Sequence, residues 1–257
     1  MAKTVFITGA TSGIGEAVAR GFAEEGCNVI VTGRRSARLK SLKKELEKEF
    51  GVEVAVLVFD VRDCKQCQAS LDSLAKDMRD IDILVNNAGL AAGLEHIDQG
   101  DLNDWDAMID TNIKGLLYIT RCISKRMIER GSGHIVNIGS IAGTQCYENG
   151  AVYSATKHAV HALSQGMRMD FLSHGIKVTE IRPGMVETEF SLVRFHGDKD
   201  RADNVYNGVT PLTGDDVADA ILWVTSLPDH VNIDEIVLTP VQQANAYYTY
   251  RKPTVTK

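Results

Sequence analysis

Tyr153 and Lys157 lie four residues apart in the run Tyr153-Ser154-Ala155-Thr156-Lys157. On an α-helix that spacing puts both side chains on one face, about 6 Å apart along the axis. An ammonium at that distance favours the phenolate, and a tyrosine that ordinarily titrates near ~10 needs such help to exchange protons at neutral pH. Thirteen positions earlier, Ser140 closes an apolar β-branched run and offers a hydroxyl that both donates and accepts. Together the three residues are equipped to move a proton on or off a substrate oxygen.

A second cluster lies near the start. Thr8-Gly9-Ala10-Thr11-Ser12-Gly13-Ile14-Gly15 follows the apolar run Thr4–Ile7 and opens a helical pattern. A strand, a glycine-rich turn and a helix N-terminus make an anion site, because unpaired N–H groups and the positive end of the helix dipole converge there. Glycines are needed where a side chain would block a pyrophosphate or force a strained φ. The spacing, G-x-x-x-G-x-G, differs from the commoner G-x-G-x-x-G. After the next run, Val31-Thr32-Gly33-Arg34-Arg35 places two arginines where an acidic residue would bind the free ribose 2′-hydroxyl of NAD. Guanidinium groups suit a 2′-phosphate, and with no nearby carboxylate expected to compete, NADP(H) is predicted over NAD(H).

These residues need elements to position them. Short β-branched runs recur at Thr4–Ile7, Asn28–Thr32, Val54–Phe59, Ile81–Val85, His134–Ile138, Lys177–Ile181 and Ile236–Leu238. Between them, Gly15–Glu25, Ser36–Phe50, Lys65–Met78, Asp104–Glu129 and Ala151–Ser173 carry apolar residues at three- and four-residue intervals, with Ser36, Asp104 and Asp215 as expected N-caps. Alternating strands and helices predict an α/β chain, and runs apolar on both faces predict a doubly wound parallel sheet covered by helices on both sides. The charged stretch Arg34–Lys48 reads, beyond Arg35, as a solvated helix face.

Composition narrows the function classes. With 44% hydrophobic and 24% charged residues over 257 positions, and no linker-like segment, one domain over 1–257 is predicted. It divides into a dinucleotide-binding half of about 1–130, a catalytic and lid half of about 131–245, and a tail over 246–257 that docks on a neighbour or frays. A formal charge of −6 argues against a nucleic-acid partner. Five scattered cysteines predict a reducing compartment, the cytoplasm, and neither a signal peptide nor a membrane span is visible. Cys64 and Cys67 form a C-x-x-C with no second ligand pair, and His158 and His161 read as surface or interface positions, so no metal is predicted.

The Gly9/Gly13/Gly15 turn, Asn86-Asn87-Ala88-Gly89, Asn112, Ser140, the Tyr153-x-x-x-Lys157 pair and Pro183-Gly184, in this order over nearly the whole chain, strongly resemble the short-chain dehydrogenases/reductases. The resemblance implies a Rossmann sheet with a seventh strand at Glu235–Leu238 and a homotetramer. It implies Tyr153 as general acid/base and Ser140 as the partner that orients the substrate oxygen. Lys157 would lower the Tyr153 pKa and hold the nicotinamide ribose, and Asn112 would anchor a water that relays protons from Lys157. Gly9, Thr11, Ser12, Gly13, Ile14, Gly15, Arg34 and Arg35 would bind the cofactor phosphates, with Asp60 and Val61 beside the adenine. Asn87, Ala88 and Gly89 would flank the ribose, and Pro183, Gly184, Val186 and Thr188 the nicotinamide and its phosphates.

Within that family, the segments Val85–Ala91, Met108–Asn112, Glu187–Phe195 and Leu227–Ile233 are similar to the NADP-dependent 3-hydroxy acid and serine or allo-threonine dehydrogenases. That narrower likeness implies exchange of a short 3-hydroxy acid with its semialdehyde. A substrate carboxylate needs a cation or several donors, and Arg194 in the lid segment is the expected partner, with Gln145, Cys146 and Tyr147 as further expected pocket residues. Two rival readings remain at this stage. One is a carbonyl reductase for other substrates, such as 3-oxoacyl thioesters on a carrier protein; the other is a protein that senses NADP(H) without turnover.

Overall fold

The computed structural model describes residues 2–252. At its centre is one sheet of β1 (Thr4–Ile7), β2 (Asn28–Gly33), β3 (Val54–Val58), β4 (Ile83–Asn86), β5 (Gly133–Ile138), β6 (Ile176–Pro183) and β7 (Glu235–Leu238). All neighbours pair in parallel, in the order β3-β2-β1-β4-β5-β6-β7. Around it lie α1 (Gly13–Glu24), α2 (Ser36–Phe50), α3 (Cys64–Asp72), α4 (Leu102–Ile109), α5 (Leu116–Arg130), α6 (Ala151–Phe171), α7 (Phe190–Arg194), α8 (Lys199–Asn204) and α9 (Gly214–Ser226). This is the doubly wound α/β architecture that the alternating runs predict.

Alternation along each strand feeds two cores. Val5, Ile7, Val29 and Val31 pack with Leu39 and Leu46 of α2 and Ile221 of α9, while Phe6, Ile30 and Leu84 pack on the opposite face with Ile119 and Met127 of α5. All are fully buried, and each such side chain contributes about 1.5–3 kcal/mol relative to exposure. The chain leaves β1 towards β3 and returns to place β4 on the other side of β1. That reversal makes the carboxyl ends of β1 and β4 the switch point of the sheet, where doubly wound folds hold their ligands.

Several expected boundaries move. The helix expected over Lys65–Met78 ends at Asp72, where Arg79 turns back to donate to the carbonyls of Asp72 and Leu74, and a separate 3-10 turn follows at Lys76–Met78. Asp101, not Asp104, caps α4, by accepting from the Asn103 N–H. Thr213, not Asp215, caps α9: its hydroxyl accepts from Asp216 N–H while the Asp216 carboxylate accepts from Thr213 N–H, a closed capping box. Ser36 is the first helical residue of α2, and Arg35 holds the cap position without a side-chain cap.

The long helix expected over Asp104–Glu129 contains a π-helical turn, Asp110–Gly115, between α4 and α5. The tail runs back over its own chain as far as residue 252. Tyr250 N–H donates to Gln242, Lys252 N–H to Gly208, and the Arg251 guanidinium to the carbonyls of Val205 and Asn207. The expected tail residues 253–257 lie outside the described residues. Among the described residues no helix is long and apolar enough to cross a membrane.

Candidate active site

The glycine turn after β1 has the conformation that only glycine adopts cheaply: φ is +68° at Gly9 and +57° at Gly13. A Cβ at Gly9 would approach Ala88 Cα to 3.0 Å. Thr8 Oγ1 accepts from the Asn87 and Ala88 N–H groups at 2.9 and 2.8 Å, and Asn87 Nδ2 donates to the Thr8 and Gly9 carbonyls. The loops after β1 and β4 are thereby fastened to each other. No side chain caps the first turn of α1, so its N–H donors stay free beside a cavity wall formed by Ser12, Gly13 and Ile14.

That wall belongs to a cavity of about 350 Å³. Of the residues singled out from sequence, Gly9, Thr11, Ser12, Gly13, Ile14, Arg34, Arg35, Asp60, Val61, Asn87, Ala88, Gly89, Ser140, Tyr153, Lys157, Pro183, Gly184, Val186 and Thr188 line it. Gly15 does not. A Cβ there would strike Asn87 Nδ2 and come within 2.5 Å of the Gly9 carbonyl, so its role is to let α1 close onto the turn. The bare backbone at Gly9 and Gly13, the free donors of α1 and the arginines at one end fit a phosphorylated dinucleotide.

At the other end, Ser140 follows β5, and Tyr153 and Lys157 sit on the first turns of α6. Lys157 Nζ lies 5.9 Å from the Tyr153 ring centroid and donates to the Ile138 carbonyl at 2.8 Å. Asn112 is buried in the π-helical turn, its amide spent on Leu90 O at 2.8 Å and Thr156 Oγ1 at 3.0 Å, while its oxygen accepts from Leu90 N–H. Gly89 separates it from the ammonium: a Cβ there would stand 3.3 Å from Asn112 Oδ1 and 3.7 Å from Lys157 Nζ.

The electrostatics differ from the expectation. Burial pushes the Tyr153 phenol up to about 12, and Tyr147 acts in the same direction, while Arg194 and a hydrogen bond with Ser140 pull it down. Burial pulls Lys157 down to about 8, against the Glu180 carboxylate. Two cations therefore face the Tyr153 ring, the Arg194 guanidinium at 5.1 Å from its centroid and the Lys157 ammonium one turn away at 5.9 Å, and the sequence spacing points only to the second. Arg194 lies outside the main cavity, on a smaller neighbouring pocket that shares Tyr153. It is boxed by the rings of Phe190 and Tyr147 at 5.4 and 5.8 Å and donates to Tyr147 Oη at 2.7 Å.

Three other readings are corrected. A carboxylate does compete for the arginines: Glu189, at the entry to α7, accepts from Arg35 at 2.6 Å and from Arg38 at 2.8 and 2.9 Å. Arg38, read from sequence as part of a solvated face, instead joins Arg35 in holding Glu189, which lines the cavity; its place one turn beyond Arg35 is the available signal. Gln145 is exposed and accepts from the Ala246 N–H at 2.9 Å, so it holds the C-terminal segment instead of lining the cavity. His161 is not a free surface residue either. It is mostly buried, with Nδ1 2.6 Å from the fully buried Glu180 and 3.6 Å from Glu235.

Cys64 is exposed while Cys67 is buried, with burial raising its thiol to about 12, so the C-x-x-C does not present two thiols together. Phe190, which meets the Tyr153 ring edge-on at 5.7 Å, carried no individual signal in sequence.

A family model described as short chain dehydrogenase matches residues 3–197. The NADP-dependent 3-hydroxy acid dehydrogenase of Salmonella typhi is 48% identical over 243 residues, covering 94% of this chain and 96% of that protein. The serine 3-dehydrogenase of Rhizobium radiobacter is 46% identical over 254 residues, 98% of this chain and 100% of the relative. Among solved structures, the closed form of a serine dehydrogenase complexed with NADP+ superposes with a TM-score of 0.90 at 45% identity, over 97% of this chain and 100% of the other.

Proposed function

This chain belongs to the short-chain dehydrogenase family, and from that premise we propose that it is an NADP-dependent dehydrogenase of short 3-hydroxy acids, serine among them. The observation that carries the reading is the meeting, around Tyr153, of a phosphate-binding cleft and an arginine caged by aromatic rings. The named functions of the relatives support it.

Gly9 to Ile14 with Arg34 and Arg35 would hold the phosphates, Val61 and Asp60 the adenine end, and Lys157 with Asn87 the sugar. The bound cofactor supplies the hydride acceptor, or the donor in the reverse direction. Tyr153 accepts the proton of the substrate hydroxyl during oxidation and returns it to the carbonyl oxygen during reduction. Ser140 hydrogen bonds to the same oxygen and fixes it beside the phenol. Arg194 neutralises the substrate carboxylate and, through the same charge, draws the Tyr153 proton towards dissociation. Because a buried phenol must ionise, alcohol oxidation rises with pH through the neutral range, whereas reduction, which needs the protonated phenol, does not.

The deciding experiment follows absorbance of the reduced nicotinamide while serine, allo-threonine, 3-hydroxyisobutyrate, 3-hydroxypropionate and neutral alcohols are offered with NADP and then NAD. Turnover of the acids with NADP is expected. Turnover of neutral alcohols alone would discard the hydroxy-acid assignment, and a strong preference for NAD would remove Arg34 and Arg35 from their role.

The assembly we propose is a homotetramer working in the cytoplasm. Val237 on the edge strand β7 and Trp223 on α9 are each 53% exposed, an apolar edge suited to a second subunit. The described cysteines are all free, as a reducing compartment requires. Light scattering should give about four times the 28.1 kDa subunit mass; a monomer at micromolar concentration would remove the assembly from the proposal.

A further inference from the structure

The contact between Glu189 and the two arginines deserves a function of its own, because it occupies the donors that the preceding reading assigns to a phosphate. Every guanidinium nitrogen of Arg35 is engaged. Its Nε and Nη2 donate to Thr11 Oγ1, Nη2 also to Ser12 Oγ at 2.7 Å, and Nη1 to Glu189 at 2.6 Å. Arg38 Nη1 donates to both Glu189 oxygens. Hydrogen bonds from Arg35 first, then from Arg38, hold the Glu189 carboxyl at about 2, so the group is a permanent anion at any working pH. Arg34 is the freer cation, 64% exposed and 3.9 Å from Asp60.

We propose that Glu189 is a specificity-determining residue whose carboxylate occupies the Arg35–Arg38 seat of an adenosine 2′-phosphate, so that a 2′-phosphorylated nucleotide binds by displacing it. The proposal rests on the nucleotide-binding reading given above. Glu189 lines the same cavity as Arg34, Arg35 and the glycine turn, and two anions cannot share one saturated guanidinium without repelling each other. A ligand with a free 2′-hydroxyl brings no competing charge and leaves the ion pairs in place. Glu189 therefore lowers affinity for phosphorylated nucleotides and spares unphosphorylated ones, which narrows the preference that the arginines alone would give. Its side chain is 38% exposed, and those of Arg35 and Arg38 are 43% and 48% exposed. Ion pairs that open to water are individually weak, so the expected effect is roughly five- to tenfold in affinity.

The test measures binding, not turnover. The full chain and its Glu189→Gln variant are titrated calorimetrically with 2′,5′-ADP and, separately, with 5′-AMP. The variant should bind 2′,5′-ADP roughly five- to tenfold more tightly and 5′-AMP unchanged, with a steeper salt dependence for 2′,5′-ADP alone. Equal tightening of both ligands would mean a general charge effect and overturn the proposal. Unchanged or weakened 2′,5′-ADP binding would overturn it too, since Glu189 would then support the arginines instead of competing for them. A wild-type chain that binds neither nucleotide would instead remove the reading beneath it, a result that cannot be confused with unaltered 2′,5′-ADP affinity.

Discussion

The two ends of the cleft are built from different materials. The phosphate end is backbone: Gly9 and Gly13 in left-handed conformations, the uncapped first turn of α1, and loops laced together through Thr8 and Asn87. The substrate end is side chain: Tyr153 and Lys157 from α6, Ser140 from the end of β5, Phe190 and Arg194 from α7, and Tyr147 from the loop between. Backbone sites recognise charge and shape and tolerate little change, whereas side-chain sites set proton affinity and selectivity. Affinity for a dinucleotide and turnover of a substrate should accordingly come apart under mutation.

The largest separation is expected at Tyr153. Tyr153→Phe removes the proton acceptor and leaves the ring in its contact with Phe190, so turnover should fall by about a thousandfold. NADP affinity, measured by fluorescence quenching, should stay within about twofold. Loss of both together would show that the two ends are one unit.

Much of this division can be seen in the sequence, for a physical reason. Glycine spacing, the two arginines after β2 and the Tyr153–Lys157 interval are local patterns, and the helix or turn that uses them follows from the same few residues. The Glu189–Arg35 pair spans 154 positions and the Arg194–Tyr147 pair spans 47. Such contacts depend on where α7 settles across the cleft, and no periodicity encodes that. The same limit applies to the strength of the phenol: spacing places Lys157 one turn from Tyr153, but burial, which dominates the shift, is a property of the whole packed site. The π-helical turn that carries Asn112 was also invisible, because its flanks have the same apolar periodicity as an ordinary helix.

Arg194 sharpens the contrast within the substrate end. Arg194→Met keeps a flexible apolar stem beside Phe190 and Tyr147 but removes the charge, so kcat/KM for 3-hydroxy acids should fall roughly 10- to 100-fold, the scale of one charge-assisted bond. Neutral alcohols should lose less, since they feel only the part of the charge that acts through the phenol, and an equal loss for both classes would assign Arg194 to the phenol alone.

At the phosphate end, Gly9→Ala forces a side chain into φ +68° and brings Cβ to 3.0 Å from Ala88 Cα. The expected cost is about 1–2 kcal/mol, seen as roughly tenfold weaker NADP binding and a melting point lower by a few degrees. At saturating cofactor, turnover should persist; a collapse of kcat with intact binding would reverse the assignment of backbone to affinity.

The smallest effect concerns stability, and it too divides the molecule. Three buried groups whose proton affinity burial shifts, Lys157 and His134 downwards and Glu180 upwards, lie in the second half of the chain. His134, at the start of β5, is nearly inaccessible and shares a 2.8 Å hydrogen bond with Thr179. Burial first, then Lys177 and Lys3, hold its imidazole down at about 3. The unfolded chain, with an ordinary imidazole near ~6.5, binds more protons below that pH, so stability must fall as pH falls through 6.5 and continue to fall until the folded imidazole titrates. Between pH 7 and pH 5.5 the loss from this one residue should be about 1 kcal/mol. Urea unfolding of the wild type and of His134→Leu at both pH values isolates it, because the other titrating groups are common to the two chains. The variant should lose about 1 kcal/mol less than the wild type over that interval. An identical loss in both would mean that His134 is protonated within the fold, and that the second half keeps its buried charges by pairing, not by exclusion of protons.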